Sequence, residues 1–154
     1  MGDPTRKTCE RTGDRQMMIL EYLRNQLLTD GDVSAIAGTN VFCTNPPQDV
    51  TGAYVVITQI SSNGFDAVEC NMLDFFESRI QLEAWSYQQG ESQNLWKACR
   101  SSFKSFPRGY AQDLMVRSIG QHTGPLTDSF NPIDGSDLHI YRTMQDFNVC
   151  FSFT

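Results

Sequence analysis

Two segments of the chain repeat their apolar residues at the spacing of an amphipathic helix. The first covers residues 15–29, and the second begins at residue 89 or 91 and ends at residue 106. The residues that share the apolar arc of the first helix are Ile19, Leu20, Leu23 and Leu27. Those of the second helix are Leu95, Trp96, Cys99, Phe103 and Phe106. Each helix is therefore predicted to pack one face against a core. A shorter helical turn is predicted at residues 33–37, ended by Gly38.

Other segments alternate apolar and polar residues as a half-buried β-strand does. The clearest covers residues 77–86, where Ile80, Leu82 and Ala84 share one face and charged or polar residues share the other. Residues 53–60 read AYVVITQI, which is apolar on both faces at its start and predicts an interior strand. Further strands are predicted at residues 40–43, 114–119 and 145–153.

Two longer segments lack a strand pattern and are predicted to be loops. Residues 61–76 form an apolar loop that needs a partner, and residues 120–137 form a polar loop rich in glycine and proline. The resulting order of elements predicts an α+β fold. It is a two-layer sandwich in which a mostly antiparallel or mixed β-sheet is covered on one face by two helices.

Composition indicates one compact domain. A chain of 154 residues with 40% hydrophobic residues has enough apolar material for a single core, which we place at residues 15–154. Residues 1–14 are polar and charged, so they are predicted to be a flexible arm. No signal peptide and no membrane-spanning run is recognisable, so a soluble protein made in the cytosol, with no membrane partner, is expected.

Charge and cysteine content argue against two classes of ligand. A net charge of −6 and the absence of a long basic run disfavour binding to nucleic acid. The five cysteines are widely spaced, odd in number and contain no CxxC pair, so they are read as reduced thiols and not as zinc ligands.

The sequence offers little catalytic chemistry. His122 and His139 have no metal-ligand spacing, and Asp66, Glu69 and Asp74 lack the pattern of a calcium loop. Nucleophile-elbow, phosphate-loop and zinc-protease motifs are also missing. No catalytic residue, no metal and no cofactor is therefore predicted, and the protein is not expected to be an enzyme.

Three motifs, taken in their order along the chain, resemble a known family. They are the strand that contains Tyr54-Val55-Val56, the Gln59-Ile60-Ser61 that follows it, and the strand that runs from Arg79 to Trp85 with the sequence RIQLEAW. With the helix at residues 91–106 and the closing strands at residues 138–153, this order resembles the tail-terminator, or tail-completion, proteins of long-tailed bacteriophages. The resemblance covers residues 15–154. The arm at residues 1–14 is where this sequence departs from the family.

The resemblance implies a structural virion protein similar to the U-type terminators of lambdoid phages. Such proteins form a ring, here expected to be a hexamer, on the head-proximal end of the completed tail tube. The ring stops tube polymerisation and provides the docking surface for the head connector. The expected partners are further copies of the chain, the tail tube protein and the connector, and DNA only passes through the channel. The expected location is the tail, at the head–tail junction, after synthesis in the host cytoplasm.

The candidate interface with neighbouring subunits or the tube combines the apolar loop with two charged residues of the next strand. Its residues are Phe65, Val68, Met72, Leu73, Phe75, Phe76, Arg79 and Glu83. For Arg79 and Glu83, with Trp85 beside them, the alternatives are a solvated surface and a subunit contact, and the sequence alone slightly favours the solvated surface. The alternative functions are a head–tail joining or other minor tail protein, a tail-assembly chaperone, and a small ligand-binding domain or enzyme with a pocket under residues 120–137.

Overall fold

The computed structural model describes residues 19–66, 72–105, 110–111, 114–131 and 137–153. Three helices lie in this part of the chain: α1 (residues 19–29), α2 (Gly31–Ala37) and α3 (Gln89–Lys104). The strands are β1 (Val41–Cys43), β2 (Tyr54–Asp66), β3 (Met72–Ser86), β4 (Tyr110–Ala111), β5 (Leu114–Gln121), β6 (Leu126–Phe130) and β7 (Ile140–Phe153).

The seven strands form one mixed sheet. Its order is β1-β2-β3-β7-β5-β4, and β6 pairs with the first part of β7 on the same side as β5. Only β1 and β2 are parallel, and the other neighbours are antiparallel. Buried residues of α1, α2 and α3 share one core cluster with alternate residues of β2, β3 and β7. The helices therefore cover one face of the sheet, and the predicted two-layer α+β sandwich is confirmed.

Alternation along β3 decides which side chains enter the core. Ile80, Leu82 and Ala84 are fully buried under the helices, whereas Arg79 and Glu83 on the other face are only half-buried. The pattern in the sequence predicted this assignment because one face of a sheet strand must be apolar when only that face meets a core. The partly exposed face has no helix over it among the described residues.

The predicted loop at residues 61–76 is wrong, because most of it is strand. β2 continues to Asp66 and β3 begins at Met72, so the two form a long antiparallel hairpin. The run Ser-Ser-Asn-Gly has a low intrinsic strand preference. Pairing with β3 overrides it, and Gly64 lies opposite Phe76, whose ring would be 3.4 Å from a Cβ placed on the glycine. The ring thus covers the position that glycine leaves empty.

The polar loop predicted at residues 120–137 also contains a strand. β6 pairs with β7, which begins at Ile140 and not at residue 145. The five residues of β6 read LTDSF and have no apolar alternation that local sequence could reveal. Its position depends on contacts made across the sheet, among them a hydrogen bond of 3.1 Å between the hydroxyls of Thr127 and Thr143.

The helix boundaries follow ordinary capping chemistry. Asp30 caps α2, since its carboxylate accepts hydrogen bonds from the backbone of Asp32 at 2.9 Å and of Val33 at 3.2 Å. Gly38 follows α2 with a φ of 59°, which confirms the predicted stop at this glycine. The predicted arm at residues 1–14 and the predicted helical residue Phe106 lie outside the described residues. Within the described part of the chain, no helix is long and apolar enough to cross a membrane.

Cys99 lies in the core between α3 and the sheet, and this burial raises the pKa of its thiol. We therefore expect Cys99 to react with iodoacetamide only when the protein unfolds, roughly a thousandfold or more slower than in the unfolded chain. Peptide mapping by mass spectrometry after timed alkylation at pH 8 would measure this. Cys150, which is half-buried on the other face of the sheet, is the matched internal control. Equal labelling of Cys99 and Cys150 in the native protein would contradict the packing described here.

Candidate assembly surface

The open face is the side of the sheet that the described helices do not cover. Near the start of β7 it carries a row of aromatic rings contributed by four strands, which we call the aromatic stripe. It consists of Phe42 on β1, Tyr54 on β2, Trp85 on β3 and Phe130 on β6. Consecutive ring centroids are 6.3, 5.9 and 5.7 Å apart, and the Tyr54 and Trp85 rings are stacked at an angle of 7°. These separations are typical of favourable aromatic pairs.

Arg142 of β7 lies over this stripe. Its guanidinium carbon is 5.4 Å from the centroid of Trp85 and 5.0 Å from that of Phe130, which is cation–π geometry. It also donates two hydrogen bonds to the carboxylate of Asp128, at 3.1 and 2.6 Å. The hydrogen bond to Asp128 raises the pKa of Arg142 above its usual value. The arginine is thus held over the rings by a bidentate carboxylate contact.

Glu83 completes the polar part of the stripe. Its carboxylate accepts a hydrogen bond of 2.9 Å from the indole of Trp85 and lies 3.8 Å from the guanidinium of Arg142. Of the residues predicted for the interface, Glu83 is therefore the one that the fold places beside the aromatic stripe. Phe130 is exposed, and Phe42, Tyr54 and Trp85 are half-buried. Aromatic rings and arginine are among the side chains most enriched at the centres of protein–protein interfaces.

A double-mutant cycle at Arg142 and Asp128 tests how the stripe is held. Arg142→Ala is expected to lower the free energy of unfolding by about 2 kcal/mol, because it removes both the charged hydrogen bonds and the ring contacts. Asp128→Ala is expected to cost about 1 kcal/mol, and the coupling between the two should be about 1 kcal/mol. Urea unfolding measures all three. Arg142→Lys keeps the charge but loses the planar fork, so it should recover less than half of the loss. Purely additive single effects would contradict the geometry.

The centre of the open face holds an ion pair between Arg79 and Asp146. The Arg79 Nε donates to Asp146 at 2.7 Å, and the side chain of Asp146 is only 5% exposed against 39% for Arg79. The backbone carbonyl of Asp146 accepts hydrogen bonds from the N–H groups of His122 and Thr123. These hydrogen bonds connect β7 to the turn that follows β5, so they fix the position of this turn relative to β7. His122 takes part through its backbone only.

At the far end of the open face, Phe75 of β3 lies beneath Arg117. The guanidinium carbon is 5.6 Å from the ring centroid, and Nε of Arg117 donates to the hydroxyl of Ser152 at 3.1 Å. The next residue, Phe76, points to the opposite side, where it packs against Phe151 at 5.6 Å and Phe153 at 5.8 Å. The two phenylalanines therefore do not share a surface, and Phe76 supports the core.

The other apolar residues predicted for the interface belong to the end of the β2–β3 hairpin. Phe65 lies in β2, and Met72 and Leu73 lie at the start of β3, with Met72 paired to Asp66. Val68 lies outside the described residues. The described residues of this prediction thus lie in the paired strands of a hairpin, and not in a loop.

Sequence reasoning did not find most of the aromatic stripe. The sequence points to Trp85 only as a neighbour of Glu83 and predicts Tyr54 only as a strand residue. It gives no interface prediction for Asp128, Phe130 or Arg142. The only signal in the sequence is that Tyr54, Trp85 and Arg142 each lie on the less apolar face of a strand. Their meeting depends on the register, which places Trp85 opposite both Tyr54 and Arg142.

The described residues were compared with the requirements of a metal site and of a catalytic pocket. No group of three or more His, Cys, Asp and Glu residues there could hold a metal ion. A cavity of about 150 Å³ lies between α3 and β5, and Arg100, Lys104 and Gln121 are its polar lining residues. It therefore presents positive charge and an amide, without a carboxylate, thiol or imidazole for acid–base or nucleophilic chemistry.

Comparison with known proteins identifies the class. Residues 21–107, more than half of the chain, match the family model described as tail completion protein gp17. The chain belongs to this family. No curated protein matches the chain significantly. The match includes Phe42, Tyr54 and Trp85 of the aromatic stripe and ends before Phe130 and Arg142.

A solved structure supports the fold independently. Twelve chains of solved structures match, and one of them belongs to the structure entitled "Virion of native gene transfer agent (GTA) particle". Its TM-score is 0.60 at 14% sequence identity, with 84% of this chain and 91% of that chain covered. The identity is low, so this likeness shows a shared fold. Because the chain belongs to the tail completion gp17 family, it is a structural protein of the virion tail and assembles with other virion proteins. This family is not a family of enzymes. The resemblance found in the sequence is confirmed.

Proposed function

We propose that this chain is the terminator of the tail tube. Six copies form a ring on the head-proximal end of the tube, stop its polymerisation and provide the surface on which the head connector docks. The observation that carries the proposal is that the sheet of this tail completion protein has two chemically different ends. One end has the aromatic stripe with Arg142, and the other has the β2–β3 hairpin with Phe75 near it.

The distance between these ends suits a protein that joins two neighbours. β3 runs without interruption from Met72 at the hairpin to Trp85 in the stripe. At about 3.3 Å per residue this strand spans about 40 Å. The two ends are therefore too far apart to form one binding site. A subunit that lies between the tube and the connector needs two separate contact surfaces of this kind.

Most of the predicted interface residues keep their role in this proposal, and Arg79, Glu83 and Phe76 take supporting roles. Phe65, Met72, Leu73 and Phe75 lie in the strands of the β2–β3 hairpin, whose end we assign to contacts with the tube or with the next copy. Val68, which lies outside the described residues, remains a predicted contact. Arg79 and Glu83 stabilise the open face, because Arg79 donates a hydrogen bond to Asp146 and Glu83 accepts one from Trp85. Phe76 acts indirectly, because its ring lies against the core. DNA passes through the channel of the ring without specific binding, in keeping with the net charge of −6.

Light scattering of the purified protein, alone and after mixing with isolated tail tubes, tests the proposal. The expected result is a ring of about 104 kDa, six times the 17.4 kDa chain, that forms alone or on the tubes. Electron microscopy should show the ring at one end of each tube, and capped tubes should not elongate when tube protein is added. A protein that binds only to heads would instead be a head–tail joining protein. A monomer that ignores both structures would contradict the proposal.

A further inference from the structure

A small cavity lies on the helical side of the sheet, between the end of α3 and the end of β5. Its volume is about 150 Å³. The inner wall is apolar, because Phe103 and Phe147 are buried there and their rings meet edge to face at 5.3 Å. Pockets for cofactors and nucleotides measure roughly 300 Å³ or more, whereas a space of about half that size holds a group as large as benzene. The cavity therefore has room for a single side chain.

The mouth of the cavity is formed by the polar residues Arg100, Lys104 and Gln121, of which Arg100 is half-buried and the other two are exposed. Neither cation has a carboxylate within ion-pair distance among the described residues. The guanidinium carbon of Arg100 lies 5.7 Å from the ring centroid of Trp96. The Nε of Arg100 is buried and has no hydrogen-bond partner in the described part of the chain. Because buried donors are normally paired, this nitrogen marks the place of an acceptor that a bound partner supplies.

A chain of hydrogen bonds that starts at Trp96 fixes the orientation of the Gln121 amide. An indole nitrogen can only donate, so the bond of 3.1 Å from Trp96 requires the side-chain oxygen of Gln145. The amide nitrogen of Gln145 then donates to the side-chain oxygen of Gln121 at 3.3 Å and to the carbonyl of Thr123 at 2.7 Å. The amide nitrogen of Gln121 is consequently left as a donor, and no acceptor contacts it among the described residues.

We propose that this cavity binds the side chain of a glutamate in a segment of another virion protein. All three polar groups at the mouth are donors and two of them are cationic, so a carboxylate is the group that can accept from all of them. The apolar inner wall suits the two methylene groups of a glutamate side chain. This inference goes beyond the proposed function and does not depend on the ring, because the chain assembles with other virion proteins as a member of its family.

A phosphate of DNA satisfies the cavity less well than a carboxylate does. A phosphate has no apolar stem, so its entry would press charged oxygens against the rings of Phe103 and Phe147 without hydrogen bonds for them. Two cations are also few compared with the roughly 6–10 phosphate contacts of a DNA-binding protein. The net charge of −6 repels DNA further. The partner is therefore identified by an acidic side chain.

Saturation-transfer NMR on the full chain tests the proposal with short peptides that are acetylated and amidated at their ends. The probe is Leu-Glu-Leu, and Leu-Gln-Leu is its neutral control, because the two peptides differ by one charge at nearly constant size. We expect Leu-Glu-Leu to bind with a dissociation constant of about 1 mM and Leu-Gln-Leu to bind at least about tenfold more weakly. Equal binding of the two peptides would overturn the proposal.

Three substitutions on α3 place the binding site on the chain. Lys104→Gln and Arg100→Gln each remove one charge from the mouth of the cavity, and Lys97→Gln removes a charge from an exposed position of the same helix that does not line it. We expect the first two to weaken binding of the glutamate peptide about tenfold and Lys97→Gln to leave it unchanged. Circular dichroism checks the fold of each variant, and Lys104 is exposed, so its substitution leaves the fold intact. Equal effects in all three variants, or none in any, would overturn the site.

One competitor and one mass measurement decide between possible occupants. Inorganic phosphate at the concentration of the peptide should not displace Leu-Glu-Leu, and displacement would assign the cavity to a phosphate group instead. Light scattering of Lys104→Gln should give the same mass as the unmodified protein. A loss of self-association in this variant, with Lys97→Gln unaffected, would assign the cavity to a second copy and overturn the assignment to another virion protein. Tail assembly should continue in Lys104→Gln, because one such contact contributes only about a factor of ten to affinity.

Discussion

Trp85→Ala is expected to reduce the yield of complete, head-joined tails by at least about tenfold while the domain remains folded. Central interface tryptophans commonly contribute about 2 kcal/mol or more to association, and each 1.4 kcal/mol is a factor of ten. The ring of Trp85 stacks on Tyr54 and contacts Phe130 and Arg142, so its removal breaks the contacts that connect the aromatic stripe. In vitro assembly is measured in two steps, capping of tubes and joining of capped tails to heads. The affected step identifies the neighbour that the stripe binds.

The second tryptophan of the chain provides a matched control. Trp96 lies on α3, on the helical side of the sheet, where its indole donates to Gln145 at 3.1 Å. Trp96→Ala leaves the buried Gln145 short of a hydrogen bond, so it should destabilise the fold by about 2 kcal/mol, at least as much as Trp85→Ala. Tail assembly should nevertheless survive in Trp96→Ala. Equal losses in both variants would mean that stability, and not the stripe, limits assembly.

Phe151→Ala is expected to lower the free energy of unfolding by about 3–5 kcal/mol, the largest stability effect that we predict. Phe151 is 2% exposed and lies between the rings of Phe76 and Phe153 at 5.6 and 5.8 Å. Truncation leaves a cavity that strands paired on both sides cannot close. Because a domain of this size is stable by about 5–15 kcal/mol, the midpoint of thermal unfolding should fall by about 10 °C. Urea and thermal unfolding monitored by circular dichroism measure the loss.

Phe130→Ala removes the same side chain from an exposed position. Phe130 is 41% exposed and contacts Trp85 and Arg142 on the open face. Its substitution should cost about 1 kcal/mol or less in stability. Phe130→Ala should nevertheless weaken tail assembly. This result would show that the open face serves assembly, whereas the core face serves stability. If Phe130→Ala proved as destabilising as Phe151→Ala, the open face would belong to the core of the isolated subunit.

The predictions from sequence succeeded where local periodicity reflects burial. Leu82 and Ala84 alternate with Glu83 because β3 meets a core on one side only, and the arc of Leu95, Cys99 and Phe103 on α3 follows from the same requirement. They failed at β6 and at the hairpin. There, strands are formed by residues such as Ser62 and Asn63, whose local preference is weak, and pairing with β7 or β3 decides the outcome.

The sequence by itself determined the fold class, the face of each regular strand that enters the core, the end of α2 at Gly38 and the resemblance to tail completion proteins. These features depend on neighbours within a few residues or on the order of elements along the chain. Only the tertiary structure decided that Tyr54, Trp85, Phe130 and Arg142 form one surface. Strand order and register bring together residues as far apart as Tyr54 and Arg142. The local pattern of apolar residues specifies neither the strand order nor the register, because many registers keep the same residues in the core.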